Sequence, residues 1–308
     1  MNGSEKQTAL YFDCNSGISG DMAVASLLDL LSDSDERGKN LAGRGENDAC
    51  LENLDACREL EKVLVTIPAS GFKTKITRVK KSTLDCLDFA VILDKKHENH
   101  DHDMKYFYSA SEDDGHCISH HEHRNLFDVF AIIDKTQMSE NAHKISHKIF
   151  EILANAESKA HGIPIEQVHF HEVGAIDSIV DVIAFSVCFD NLCTKYSIKK
   201  VYVPYLAEGY GTVRCQHGVL PIPVPAVVNI VSEYGIPLKM IDEKGEFVTP
   251  TGASFVAAVA TDYTMPFASA QSTGAFKIKK VGLGAGKREY NRPCFVRAML
   301  IENSLECD

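Results

Sequence analysis

One stretch, "VHFHEVGAIDSIVDVIAFSVCFDNL" (168–192), constrains the fold most. It opens with the alternation of a short strand and passes into an apolar helix. The run "SIVDVIAFSVCF" is short and carries Asp181, so no membrane span is expected. On a strand, residues two apart face the same side. His169 and His171 therefore present both imidazoles to one ion, with Phe170 anchored in the core behind them. Glu172 is adjacent, and Asp177 and Asp181, four apart, share a face of the helix that follows. Two imidazoles with a nearby carboxylate suit zinc, nickel or iron(II). The structural alternative has His169 satisfying a backbone group and Asp177 capping the helix. The flanking carboxylates favour the metal.

The rest of the chain mixes the two periods irregularly. "TALYFDC" reads as a buried strand, "NSGISGD" as a glycine-serine turn and "DMAVASLLDLL" as a helix. Residues 32–54 turn polar and read as a surface insertion. "CRELEKVLVTI" starts as a helix and ends as a strand, and "FKTKITRVKKSTLDCLDFAVIL" alternates as two strands. "NLFDVFAIIDKT" and "ENAHKISHKIFEILANAESKAHG" are amphipathic helices, the second ended by Gly162 and Pro164. Strands are expected near 201–203, 211–215, 246–248, 275–281 and 295–301, with helices over 225–234 and 252–260. No regular βαβ repeat appears, so the expected class is α+β, with mixed sheets, packed helices and a mobile His-rich loop between two parts. The expected division is an N-terminal α/β part over 1–95, a His-rich loop over 96–123, and an α+β metal and substrate part over 124–308.

The chain has 308 residues, 44% of them hydrophobic and 24% charged, and a net charge of −11. An acidic surface disfavours nucleic acid as the main partner and suits cations. The ten cysteines include no C-x-x-C, and Cys14, Cys86 and Cys188 sit in apolar runs, so reduced thiols in a cytoplasmic protein are expected. "MNGSEKQTAL" shows no basic-then-apolar signal pattern.

Three further stretches bear on ligands. "DCNSGISGDM" joins strand to helix. Ser16, Gly17, Ser19 and Gly20 let backbone N–H groups approach an anion at the helix N-terminus, and Asp13 and Asp21 bracket the loop where a cation can sit. It lacks the lysine of a P-loop, and a tight turn with Asp21 near an N-cap is an equal reading. "VTPTGAS" resembles a second such site, with Thr249, Thr251 and Gly252. "VGLGAGKRE" ends in Lys287 and Arg288, which suit a phosphate or carboxylate, or else form a solvated hairpin turn. Residues 95–125 hold seven of the 13 histidines. Such a polar loop gathers metal without fixing its geometry, whereas His121 and His123 border a helix and suit a fixed site.

Together "YFDCNSGISGDM", "HHEHRNL", "AHGIPIEQVHFHEVGAIDSIVD", "GYGTVRCQHGVLPIPVPA", "GEFVTPTGA" and "GLGAGKREYNRP" resemble the nickel-insertion proteins of nickel-pincer nucleotide biosynthesis, the LarC family. The blocks keep the family's order and span most of the chain. The resemblance implies a nickel chelatase of the lyase class. Its substrate would be pyridinium-3,5-bisthiocarboxylic acid mononucleotide, and its product the cofactor of lactate racemase-type enzymes. In the family, insertion is coupled to CTP hydrolysis with a divalent ion, magnesium or manganese. The family's usual C-terminal domain, associated with CTP, does not follow Asp308 in this sequence. A separate C-terminal-domain chain and the recipient enzyme are thus expected partners, and an oligomer is compatible. Rival readings are a nickel metallochaperone or store built on the His-rich loop, and a metal-dependent phosphohydrolase using His169, His171, Asp177 and Asp13.

Overall fold

The computed structural model describes residues 8–32, 55–94, 124–170, 175–215, 218–267 and 275–303. The polar insertion, the His-rich segment with His121 and His123, and His171, Glu172 and His217 lie outside them.

The first strand, β1 (Thr8–Asp13), alternates as its sequence suggests. Leu10 and Phe12 enter the main core, and Ala9 joins a smaller cluster with Tyr202 and Ile301 on the other side. It pairs antiparallel with β12 (Phe295–Asn303) and parallel with β6 (Lys200–Tyr202). β2 (Phe72–Lys81) and β3 (Leu84–Leu93) form a hairpin whose two turn residues, Ser82 and Thr83, both have positive φ, the backbone that matches strand twist. β11 (Phe276–Ala285) lies between β3 and β12, parallel to the first and antiparallel to the second. The order β2-β3-β11-β12-β1-β6 makes one six-stranded mixed sheet, drawing strands from before and after the His-rich segment. This is the α+β architecture, with mixed sheets and packed helices.

Helix α1 (Gly20–Leu31) lies directly on this sheet. The approach is set by two glycines of "VGLGAG". A Cβ on Gly282 would stand 2.1 Å from the Ser26 carbonyl oxygen, and one on Gly284 2.0 Å from that of Met22. Both glycines sit inside β11, where they admit helix backbone, so the glycine run is a packing surface. Lys287 and Arg288 lie just beyond it, in the turn that joins the antiparallel strands β11 and β12. A second layer of helices covers α1. It comprises α4 (Glu140–His161), α5 (Ile176–Tyr196), α6 (Pro225–Tyr234) and α7 (Pro250–Val259). Phe185 of α5 stacks on Phe255 of α7 with ring centroids 4.1 Å apart. α4 ends at Gly162 in the left-handed conformation, as expected of a glycine C-cap. α3 (Leu126–Lys135) begins with a capping box between Asn125 and Asp128.

Smaller pairings complete the chain: β4 (Arg124–Asn125) with β5 (His169–Phe170), β7 (Leu206–Tyr210) with β10 (Leu238–Lys244), and β8 (Thr212–Cys215) with β9 (Gly218–Pro221). Two expectations need correction. "CRELEKVLVTI" does not end as a strand. After α2 (Asp55–Leu64), the N–H groups of Val65, Thr66 and Ile67 turn back onto Glu61, Val63 and Leu64, so the helix unwinds as a turn. Nor do residues 246–248 form a strand. Only Val248 makes a bridge, to Ile18, because a buried carboxylate takes the N–H groups of Phe247 and Val248. Cys14, Cys86 and Cys188 are buried free thiols. Among the described residues no helix is long and apolar enough to cross a membrane.

Candidate functional site

The end of β1 brings together two helix starts and the second turn of a third helix. Gly17 turns the chain at φ 75°, its N–H donating to the Cys14 carbonyl at 3.0 Å. A side chain there would meet the Phe247 carbonyl oxygen at 1.9 Å, so the turn needs glycine for both φ and space. The Ile18 N–H donates to the Phe247 carbonyl at 2.9 Å, and the Thr249 N–H donates back to the Ile18 carbonyl at 3.1 Å. These two bonds tie the first turn to the start of α7. Thr249 caps that helix by accepting from the Gly252 N–H at 3.1 Å, with Pro250 in its first turn. Gly252 itself lies against the Ile18 carbonyl. On the other side, a Cβ on Gly20 would meet the Asp181 Oδ2 at 2.5 Å, so the second turn of α5 packs on the first of α1. The N-terminal ends of α1 and α7, each carrying partial positive charge, therefore meet here, with the second turn of α5 beside them.

Carboxylates and a lysine share that region. Asp21 accepts from the Ser19 hydroxyl and from the Met22 N–H at 2.8 Å, and lies 3.9 Å from the Lys287 ammonium. Burial pushes its carboxyl up. Lys287 and the two donors oppose that rise, and Asp88 adds to it. Asp181 is raised further, first by burial, then by the charges of Asp21 and Asp177, with Lys287 opposing. Lys287 also pairs with Asp88 and donates to the Phe89 carbonyl at 2.9 Å. Carboxyls whose proton affinity is raised in this way, beside a lysine, can exchange a proton with a bound molecule or draw in a cation.

The other expected residues are placed as follows. Asp13 is 7% exposed and holds Arg297 and Asn15; the bonds it makes do not reach Asp21. Ser16 is buried and donates to the Pro293 carbonyl at 2.9 Å. Thr251 is buried in the first turn of α7. Lys287 and Arg288 diverge: the first serves Asp21 and Asp88, the second pairs with Glu246 at 3.3 Å. Asp177 accepts from the Ser178 N–H at 2.9 Å, while the N-cap position of α5 is Ala175. His169 is exposed on β5, and Phe170 beside it is 1% exposed, its ring edge-on to Phe150. The expected alternation therefore holds for this pair. β5, which ends just before His171, pairs with β4, which begins just after His123. Among the described residues no three His, Cys, Asp or Glu side chains are grouped to hold a metal ion.

Two residues at the site escaped the sequence reading. Asp88 is one of two acids, with Asp85, in the otherwise apolar strand "LDCLDFAVIL", and its partner Lys287 lies 199 positions away. Glu208 is a fully buried carboxylate in "YLAEGY". In each case the available signal was a charge on an apolar strand.

Fold and site together define an α+β protein whose glycine-rich strand-to-helix turns face a lysine and a set of partly buried carboxyls. A family model described as nickel insertion protein matches residues 10–52 and 47–308, and the chain belongs to that family. It is 42% identical over 296 residues to the pyridinium-3,5-bisthiocarboxylic acid mononucleotide nickel insertion protein of Alkaliphilus metalliredigens, covering 96% of this chain and 61% of that protein. It is 37% identical to the protein of the same description from Acetivibrio thermocellus, covering 94% and 60%. It is 33% identical to a putative nickel insertion protein of Dictyoglomus thermophilum, covering 96% and 61%. The chain thus spans about 60% of the length of these relatives. No solved structure matches it.

Proposed function

We propose that this chain takes part in inserting nickel into pyridinium-3,5-bisthiocarboxylic acid mononucleotide, with nickel(II) as a substrate. The observation that carries the reading is family membership across nearly the whole chain, together with the nickel-insertion activity for which relatives 42% and 37% identical are named. The site's chemistry supports it. The substrate's phosphate suits the N-terminal helix ends at Ser19–Gly20 and Thr249–Gly252 and the Lys287 ammonium. His169, with His171, His121 and His123, holds nickel through neutral imidazole, firmly enough to orient it and weakly enough to release it to two thiocarboxylate sulfurs. Nickel also replaces a hydrogen on the pyridinium ring. The C–H bond breaks, a carbon–nickel bond forms, and the proton passes to a carboxylate. In this proposal Glu172 and Asp177 are the catalytic acceptors, and Asp181, one turn along from Asp177, is a third. Arg288 supports the loop that follows Lys287, and Asp13 supports β1 beside the turn.

CTP with magnesium or manganese belongs to the same proposal, acting through a C-terminal domain supplied separately or in a longer chain. A cytoplasmic location, the recipient enzyme and self-association also remain within it. The test is incubation of the purified chain with nickel and the pyridinium dithio-mononucleotide, with and without magnesium CTP and that domain, followed by mass spectrometry. A nickel-bearing nucleotide supports the proposal. Its absence under every condition, from folded protein that still binds nickel, supports the metallochaperone reading.

A further inference from the structure

Glu208 sits on β7 with no solvent exposure, outside the set of residues assigned above to nickel or phosphate. Its Oε1 accepts from three backbone N–H groups: Gly209 at 2.9 Å, Phe247 at 2.7 Å and Val248 at 3.3 Å. Its Oε2 is buried and has no hydrogen-bond partner among the described residues. An acid in this position is costly to keep, so the three bonds at Oε1 need a reason. The strand pairing supplies one. β10 follows β7 in register as far as Met240 opposite Glu208, then shifts, resuming only at Lys244 opposite Tyr210. Beyond that point the chain leaves the ladder and folds over Gly209, which it approaches so closely that a Cβ there would stand 2.2 Å from the Gly245 carbonyl oxygen. The N–H groups of Phe247 and Val248 would then be without strand partners, and the Glu208 carboxyl takes their place.

The segment so held is the one that fixes the site. The Phe247 carbonyl receives Ile18, Thr249 donates back to Ile18, and Thr249 starts α7. Tyr290 backs the same segment, its ring stacked on Phe247 and its hydroxyl donating to the Glu246 carbonyl at 2.8 Å. We infer that Glu208 is a positioning residue for the proposed phosphate site, acting through residues 247–249 to set the separation of the Gly17–Gly20 turn from the start of α7. What it supplies is reach: one oxygen at the end of a three-bond side chain, delivered to backbone donors. This rests on the proposed function for its ligand, but the geometry it describes belongs to the protein alone.

Reach and charge separate in two conservative variants. Glu208→Gln keeps an acceptor oxygen at the same distance and loses the acid. Glu208→Asp keeps the acid and withdraws the oxygen by one methylene. Positioning by reach predicts that Glu208→Asp raises KM for the pyridinium mononucleotide about tenfold with kcat within about twofold, because ground-state and transition-state binding weaken together. Amide hydrogen exchange at Ile18 and Thr249 should rise about tenfold in the same variant. Glu208→Gln should stay within about threefold of wild type in both readouts. The reverse ranking would overturn the inference in favour of a charge role, and equal thermal destabilisation of both variants with unchanged KM and unchanged exchange would reduce Glu208 to a fold residue. Exchange is read without substrate. Should wild type insert no nickel, the proposed function fails while the exchange comparison still decides the role of Glu208.

Discussion

Gly252→Ala sets two physical effects against each other. The residue lies in the first turn of α7, where alanine is the better helix former by about 0.8–1.0 kcal/mol. Propensity alone therefore predicts stabilisation. The new Cβ, however, would stand 2.2 Å from the Ile18 carbonyl oxygen, 2.6 Å from its carbon and 3.0 Å from the Ser19 nitrogen. All three are backbone atoms in a turn held by hydrogen bonds on both sides, so no side chain can rotate away. The turn and the helix must separate by about 0.8 Å merely to reach the closest approach that real Cβ atoms show. Overpacking of this kind costs about 1–3 kcal/mol, and a contact confined to backbone belongs near the upper end. The net expectation is destabilisation of about 1–2 kcal/mol. At about 2–4 °C per kcal/mol for domains of 150–250 residues, the thermal midpoint should fall by a few degrees. Calorimetry reads the midpoint, and nickel transfer at varied substrate reads a raised KM. A midpoint above wild type would show that propensity governs, and that the two turns are not pressed together as described.

Asp181→Asn should stabilise the protein in neutral and alkaline solution. A carboxyl whose folded pKa is raised contributes stability in full below its unfolded value, near pH 4, and loses it as pH rises through the folded value. Asparagine removes that loss, so its midpoint should exceed wild type at about pH 8 and not at about pH 4, while nickel transfer falls; a deficit at both pH values would refute the assignment. His169→Ala should abolish transfer and leave near-ultraviolet circular dichroism unchanged, since the side chain is exposed. Full activity would remove His169 from the nickel site. Deleting 97–117, which lies outside the described residues, should lower the number of nickel ions bound and slow transfer only at scarce nickel. Titration calorimetry should show weak sites vanishing and a tighter one persisting, and loss of the tightest site would make the His-rich segment the active centre.

What the sequence could disclose followed from local physics. β1, its glycine turn, α1 and the helix at 225–234 were legible because each carries its own local period or its own glycine and proline boundary residues. β10 was not. "LKMIDEK" leaves most of its side chains wholly or partly exposed and pairs with β7 alone, so no buried face marks it. The missing strand at 246–248 has the same root in reverse: its donors are satisfied by Glu208, a partner 39 and 40 positions away that local pattern cannot reveal. At the site, the glycine turns and Lys287 stood out, yet their neighbours did not. Asp88 meets Lys287 only because β3 and β11 run side by side at Leu87 and Gly284. The reason for the glycines at 282 and 284, the backbone of α1, lies 252 or more positions earlier in the chain, out of reach of any local pattern.

The most direct measurement of the central claim is a single turnover. The protein is loaded with one equivalent of radioactive nickel, freed of excess metal, and mixed with the pyridinium dithio-mononucleotide under conditions where the wild type is active. A competing chelator is present in solution. Nickel held at the histidine site and handed on directly should appear in the nucleotide despite the chelator, and His169→Ala should pass none. Nickel collected by the chelator at the same rate with and without nucleotide would contradict the account, because the protein would then only store and release the metal.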